Sequence, residues 1–272
     1  MAYRLDSDNA LRRALRKAAQ HQLARAATDL RTLAEEEAVH ALRKHCKKMR
    51  ALLRLVRSDA EALYRAENAH YRALAETLAA SRDAVSLRDA LDKLAPVDQY
   101  PHIRAFLEAR IAPTGAEALQ RAAALLEQGA SRVDHWPLQP LRWRSARRGY
   151  QRGYRRAREA MHDTLAEATP EQFHEYRKRV KDQWYHTRLL EGKYRAPLHG
   201  RRKPLKTLAQ ALGDWRDLQL LRRLLALEGN AFHSELIPLL DASDTRLDAL
   251  QRQIETLGQQ LFATAKFRFG RA

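Results

Sequence analysis

An internal repeat constrains the fold of this 272-residue chain more than any other feature of its sequence. The motif H-x-x-R-K-x-x-K begins at His40 and occurs again at His174, and a downstream L-A-x-x-L-x-x-x-R-D motif recurs at the same offset of 134 residues. Two separated motifs that recur at one register shift indicate a duplicated structural unit. The matching pairs are His40 and His174, Arg43 and Arg177, Lys44 and Lys178, Lys47 and Lys181, Arg54 and Arg188, Arg72 and Lys206, Leu74 and Leu208, Leu78 and Leu212, Arg82 and Arg216, and Asp83 and Asp217.

Composition and periodicity predict an all-α fold. The chain has only 10 glycines and 9 prolines, its apolar residues recur at helical spacing, and no long stretch alternates with a period of two. With the repeat, this favours two four-helix bundles related by a pseudo-two-fold axis. We predict a first half at residues 5–128, a linker at 129–140 that contains Gly129, Pro137 and Pro140, and a second half at 141–264.

The segment from His40 to Arg57 carries seven Lys or Arg residues and no acid. Wound as an α-helix, it places apolar side chains on one side and cations on the other. The apolar side comprises Leu42, Cys46, Met49, Leu53 and Val56, and the cationic face comprises His40, Arg43, Lys44, Lys47, Arg50 and Arg54.

A purely cationic helix face is costly. Like charges three or four residues apart repel by about 0.2–0.5 kcal/mol per pair, and six such pairs occur in this segment. The total of about 1–3 kcal/mol is a noticeable fraction of a domain's stability. Because a bound polyanion would convert this repulsion into attraction, the face predicts a polyanion-binding surface, with an ordinary solvated face as the alternative.

The second motif, at residues 174–190, is less purely cationic because Glu175 and Asp182 interrupt it. On a helix, Glu175 is expected to reach Arg179. Asp182 is expected to reach Lys178 or Arg179 in the same way. We therefore expect the second half to hold an anion less tightly than the first.

The formal net charge of +17 indicates a polyanionic partner, such as nucleic acid, an anionic membrane surface or another polyanion. The single cysteine, Cys46, lies on the apolar side of its helix, so a buried thiol is expected and no disulfide can form within the chain. No run of about 18 apolar residues is present, so no membrane insertion is expected. The N-terminus lacks the apolar segment of a signal peptide, which makes the cytoplasm the expected location.

A second basic segment, at residues 142–158, contains eight arginines. Trp143, Tyr150 and Tyr154 lie between these arginines, and interleaved arginines and aromatic residues are typical of surfaces on which nucleic-acid bases stack. The same arginines could serve solubility alone. A basic nucleic-acid-binding scaffold is therefore the alternative function.

Signals for catalysis are weak. His162 and Asp163 form an HD dipeptide like that of metal phosphohydrolases, but His135 and His174 do not lie at metal-ligand spacing from it. The sequence has no glycine-rich phosphate loop, no paired cysteines and no H-E-x-x-H motif. We expect a protein that is not an enzyme and that requires no cofactor or metal.

The two motif segments, HALRKHCKKMRALL and HEYRKRVKDQWYHTRLL, each followed by the L-A-x-x-L-x-x-x-R-D motif, resemble the two halves of a CHAD domain, the conserved histidine α-helical domain. The resemblance covers nearly the whole chain. It implies one domain of two pseudo-symmetric four-helix halves, with a basic surface or pore between them that binds inorganic polyphosphate without known catalysis. The E-x-E-x-K signature of the CYTH domain that precedes some members is absent, so the resemblance is to a stand-alone CHAD protein.

The resemblance also implies which side chains bind polyphosphate and where the protein acts. The expected location is the cytoplasm, either free or attached to polyphosphate granules through the anion site. The pairs Arg82–Asp83 and Arg216–Asp217 remain open, because ion pairing within each pair is as reasonable as phosphate contact. The implied polyphosphate-binding residues are His40, Arg43, Lys44, Lys47, Arg50, Arg54, Arg82, His174, Arg177, Lys178, Lys181, Arg188, Lys206 and Arg216.

Overall fold

A computed structural model describes residues 3–78, 82–228 and 232–270, without the side chains of Arg82, Asp83 and His233. The predicted role of Arg82 and its pairing with Asp83 therefore lie outside the described side chains. The described residues are mostly helical and contain no β-strand. The all-α prediction is confirmed.

Eleven α-helices follow one another along the described residues. Short 3-10 turns at Arg57–Asp59 and His199–Arg201 connect some of them. The α-helices are α1 (Leu11–Thr32), α2 (Glu35–Val56), α3 (Glu61–Glu76), α4 (Arg82–Leu94), α5 (Pro101–Glu108), α6 (Ala116–Val133), α7 (Trp143–Ala166), α8 (Pro170–Leu190), α9 (Arg195–Leu198), α10 (Arg202–Glu228) and α11 (His233–Leu261).

The helix that precedes the predicted linker is longer than expected. Gly129 lies inside α6, which continues to Val133, so the first residues of the predicted linker are helical. A Cβ at Gly129 would lie 3.1 Å from His70 Nε2 and 3.2 Å from the Tyr71 hydroxyl. The glycine therefore serves close packing of α6 against α3 and does not end the helix.

Two groups of helices meet along the middle of the molecule. In one group, α1 packs against α2 and α6, and α3 packs against α2 and α6. In the other, α8 packs against α7 and α10, and α10 packs against α11. Contacts of α2 with α7 and α8 join the groups, and α4 packs against α5 and α10. The division into two pseudo-symmetric halves remains a prediction from the sequence repeat.

The amphipathic pattern of α2 places its apolar side in the core. Leu42, Cys46, Met49, Leu53 and Val56 are each at most 3% exposed, while none of the six side chains of the cationic face is buried. Burial raises the pKa of the Cys46 thiol to about 12, so the thiol stays protonated. The predicted orientation of this helix is confirmed.

No helix among the described residues combines the length and the apolar character that crossing a bilayer would require.

Candidate anion-binding site

The predicted cations occupy surface or partly buried positions on three helices. On α2 and α8, His40, Lys44, His174 and Lys178 are exposed, and the remaining members are partly buried. On α10, Lys206 is exposed and Arg216 is partly buried. The side chains nevertheless differ in what already contacts them, and these contacts decide which of them can accept an anion.

Arg43 has a structural contact in addition to any role in binding. Its Nη1 donates to the carbonyl oxygens of Ala75 at 2.8 Å and Leu78 at 2.7 Å. These carbonyls lie at the end of α3, where the last turn has no intrahelical donors. The guanidinium of Arg43 therefore caps α3, and its removal is expected to lower stability.

Arg54 is engaged by an acid from the other motif. It forms an ion pair with Asp182 of α8, whose side chain is only 10% exposed. The expectation that Asp182 pairs with Lys178 or Arg179 along its own helix is therefore wrong. The carboxylate lies where α2 and α8 contact each other, so its nearest cation comes from α2.

Glu175 behaves as the helical spacing predicts. It pairs with Arg179 one turn later and also with Lys178. Lys178 is thus partly neutralised by a neighbour on its own helix.

The beginning of α8 lies against α10 and brings predicted residues together. The pKa of His174 is lowered by burial and then by the nearby charge of Arg216. A Cβ at Gly213 of α10 would lie 3.2 Å from Arg177 Nε, so the glycine leaves room for that guanidinium. Arg216 also forms an ion pair with Asp217 at 3.1 Å. The ion pair that the sequence left open is therefore present, and Arg216 still lies near His174 of α8.

At the end of α8, Arg188 packs on aromatic rings and has no acidic partner among the described residues. Its guanidinium lies 5.4 Å from the ring centre of Tyr3 and 4.9 Å from that of Trp184. Lys48 Nζ lies 5.8 Å from the same Tyr3 ring. Burial, and then the charges of Arg188 and Lys44, lower the pKa of Lys48 to about 8.

Lys48 was missed because helical periodicity places it beside the cationic face and not on it. The repeat offset does identify it. Residue 182 lies 134 positions after Lys48, just as Arg188 lies 134 positions after Arg54. Through the repeat, Arg54 thus corresponds to Arg188 and Asp182 corresponds to Lys48. The arginine of the first pair faces an acid, and the arginine of the second pair lies near a lysine. The charge of Arg54 is therefore neutralised by Asp182, whereas Arg188 and Lys48 are two neighbouring cations.

The aromatic residues of α7 do not form a stacking surface. Tyr150 and Tyr154 are 0% and 1% exposed, and their rings contact Phe267 of the C-terminal segment. Trp143 is partly buried against Tyr194. The interpretation that the two tyrosines stack on bases is wrong, because they belong to the hydrophobic core.

Within the part of the chain that the structure describes, no group of three or more His, Cys, Asp or Glu side chains is placed to hold a metal ion.

Comparison with known proteins identifies the family. A family model described as the CHAD domain matches residues 9–226. The crystal structure of the CHAD domain from the plant Ricinus communis is similar to this chain, with a TM-score of 0.62, 18% sequence identity, and coverage of 98% of this chain and 96% of that chain. At that identity the likeness concerns the fold. The comparison with curated proteins gave no match.

Proposed function

This chain belongs to the CHAD domain family, and we propose that it binds inorganic polyphosphate, without catalysis, through the cations that α2, α8 and α10 present. Attachment to polyphosphate granules would follow from the same affinity. The proposal is supported by the charge balance along α2, α8 and the part of α10 that lies against α8.

The observation that carries the proposal is that this region holds cations beside other cations. Burial lowers the pKa of Arg50, with the charge of Arg54 as the next cause. For Lys48 the causes are burial and then Arg188, and for His174 they are burial and then Arg216. Each lowered pKa reports a free-energy cost of keeping the cationic form in place. A bound polyanion would reduce that cost at several positions at once.

The chemistry of these side chains suits a linear inorganic anion. Arginine donates two parallel hydrogen bonds to phosphate oxygens, and lysine supplies a compact charge. Along α2, the rise of about 1.5 Å per residue spreads the cations from His40 to Arg54 over about 21 Å. Polyphosphate has no bases, so its recognition does not require the aromatic platforms that nucleic-acid binding uses.

The burial of Tyr150 and Tyr154 weakens the alternative of a nucleic-acid-binding scaffold, which a competition experiment can test. Isothermal titration calorimetry with short and long polyphosphate, beside duplex DNA at equal phosphate concentration, compares the two ligands directly. We expect long polyphosphate to displace DNA. Displacement of polyphosphate by DNA would favour the scaffold and overturn the proposal.

A charge-removal variant tests the location of the site. We choose Lys44→Ala/Lys47→Ala, because Arg43 also caps α3. The variant should weaken polyphosphate binding about tenfold or more and flatten the slope of log K against log salt by about one to two, since fewer counterions are released.

The matched control for this variant is Arg12→Ala/Arg252→Ala, which removes two charges from exposed positions on α1 and α11. Circular dichroism and urea unfolding check that both variants fold. If the two variants lose affinity equally, the assignment of the site to α2 fails, although general polyphosphate binding does not.

A further inference from the structure

A crevice between the end of α2, α7 and α8 is lined by arginines that, apart from Arg54, the proposed polyphosphate site does not use. Its volume is about 280 Å³, at the lower end of the range for small-molecule sites. Gly149 and Gly153 allow α7 to approach α2 and α8 closely here, because a Cβ at Gly149 would lie 1.6 Å from the Leu55 carbonyl oxygen. The lining residues are Arg54, Arg57, Glu61, Gly149, Arg152, Gly153, Arg155, Arg156, Arg179, Asp182 and His186.

Six arginines and two acids line this crevice. The acids are already engaged, since Asp182 pairs with Arg54 and Glu61 pairs with Arg57 at 2.8 Å. Arg155 and Arg179 each pair with a glutamate on their own helix.

Among the described residues, Arg152 and Arg156 are the arginines of the crevice that form no ion pair within 4 Å, although Asp59 lies near Arg152 and Glu159 near Arg156. Arg156 is partly buried. Burial, followed by the charges of Arg179, Arg57 and Arg152, lowers its pKa. The fold therefore holds several guanidinium groups around one small space with incomplete neutralisation.

The wall of the crevice includes a buried acceptor. His186 is 1% exposed, and its Nε2 lies 3.0 Å from the Ala51 carbonyl oxygen, so Nε2 carries the proton that it donates to this carbonyl. Its Nδ1 is then a lone-pair acceptor, and it has no hydrogen-bond partner in the described structure. Gly153 of α7 packs against this part of α8, because a Cβ there would lie 2.6 Å from Gln183 Nε2 and 3.5 Å from His186 Nδ1.

Apart from Arg54, the arginines of the crevice are not part of the repeated motif. The residues 134 positions before Arg152 and Arg156 are Ala18 and Gln22, and the residue 134 positions before Arg179 is His45. Arg152, Arg156 and Arg179 therefore have no arginine counterpart in the first half of the sequence. It shares Arg54 with the proposed polyphosphate site.

We propose that this crevice is a second anion site that binds a compact terminal phosphate group of the pyrophosphate class. The volume suits a small anion and not an extended polymer, and the guanidinium groups surround it from three helices. A terminal phosphate carries close to two charges and has an ionisable proton near pH 6. Internal phosphates of polyphosphate and nucleic acids carry one charge and have no such proton to share with the Nδ1 of His186. The inference does not require that the cations of α2 bind polyphosphate.

Calorimetric titration of the full chain with inorganic pyrophosphate tests this site. We expect one saturable site that Arg152→Ala/Arg156→Ala weakens about tenfold or more, because each lost charge-assisted hydrogen bond corresponds to about tenfold in affinity. The control Arg12→Ala/Arg144→Ala removes two exposed charges outside the crevice and should change affinity little. Equal losses in both variants, or no saturable binding to the wild type, would overturn the proposal.

Spectroscopy locates the ligand independently of the variants. In a protein with ¹⁵N-labelled histidine, pyrophosphate should shift the Nδ1 resonance of His186, because that nitrogen has no partner in the described structure. An unchanged His186 resonance at saturating pyrophosphate contradicts binding in the crevice.

Polyphosphate with capped ends distinguishes the source of the phosphate and separates this inference from the proposed function. If uncapped polyphosphate displaces pyrophosphate and capped polyphosphate does not, the occupant of the crevice is a chain end. If neither polymer displaces pyrophosphate, the occupant is free pyrophosphate. Displacement by both overturns the preference for terminal groups. If capped chains bind the wild type and Arg152→Ala/Arg156→Ala equally, the proposed polyphosphate site stands whether or not the crevice binds pyrophosphate.

Discussion

Replacement of Lys48 by methionine would separate the cost of holding cations together from the benefit of binding an anion. Methionine keeps an aliphatic chain beside the Tyr3 ring and removes the charge that lies near Arg188. The hydrogen bond from the Tyr3 hydroxyl to the backbone oxygen of residue 48 does not depend on the side chain. We therefore expect higher stability and weaker polyphosphate binding in the same variant.

The size and the pH dependence of this effect follow from the lowered pKa. Burial and Arg188 lower the pKa of Lys48 from 10.5 to about 8, which corresponds to about 3 kcal/mol without screening. Because Lys48 is only partly buried, solvent screening reduces the expected cost to about 1 kcal/mol.

The sign of the pH dependence is set by which state loses its proton first. Below pH 8 the folded and unfolded states both carry the Lys48 proton, and the folding cost is fully present. Between about pH 8 and 10.5 the unfolded state binds more protons, so the wild type gains stability as the pH rises.

Urea unfolding at pH 7 and pH 9.5 measures the stability, and calorimetry with long polyphosphate measures the affinity. Lys48→Met should be about 1 kcal/mol more stable than the wild type at pH 7, and the difference should shrink at pH 9.5. Its polyphosphate affinity should be several-fold lower at pH 7. The control Lys266→Met changes an exposed lysine. A less stable Lys48→Met, or one with unchanged affinity, would refute the reasoning.

Three further predictions concern the fold around the site. Arg43→Ala should lower the free energy of unfolding by about 2 kcal/mol, because the carbonyl of Ala75 in the last turn of α3 and that of Leu78 just after it lose a charged donor. Urea unfolding measures this, and an unchanged midpoint contradicts the capping role. Gly149→Ala should lower the melting temperature strongly, since its Cβ would meet a backbone oxygen of α2, whereas Gly115→Ala, with open space around it, should not. Burial lowers the pKa of His186 to about 4, so the unfolded state binds more protons than the folded state between about pH 4 and 6.5. Acidification through this range should therefore lower the free energy of unfolding by up to about 3 kcal/mol. His186→Gln should lose less stability than the wild type when the pH is lowered, and an equal loss excludes His186 as the cause.

Local patterns were sufficient for the helices and for the orientation of α2. The heptad-like spacing from Leu42 to Val56 predicts one buried side, and that side is in the core. Thr169 precedes Pro170 at the start of α8, where its hydroxyl accepts from the amide of Gln172. Gly129 misled the prediction, because a glycine signals either a helix end or a close contact, and only its neighbours across the helix pair show which applies.

The sequence indicated candidate members of the site, but it did not predict which of them pair with acids. The repeat predicted that His174 and Arg216 belong to the same site, and in the structure the charge of Arg216 contributes to lowering the pKa of His174. Lys48 was left out, although it lies beside Arg188. The arginine cluster on α7 was visible in the sequence, but its crevice was not, because three helices from distant parts of the chain form it.

The sequence alone determined that the chain is helical and that α2 has a buried side and a cationic side, because both properties depend on the spacing of residues within a few turns. Only the tertiary structure decided which cations are neutralised. Asp182 could have paired with a neighbour on α8, but it meets Arg54, 128 residues away, where α2 and α8 come into contact. Ion pairing depends on distances between helices, which local spacing does not specify.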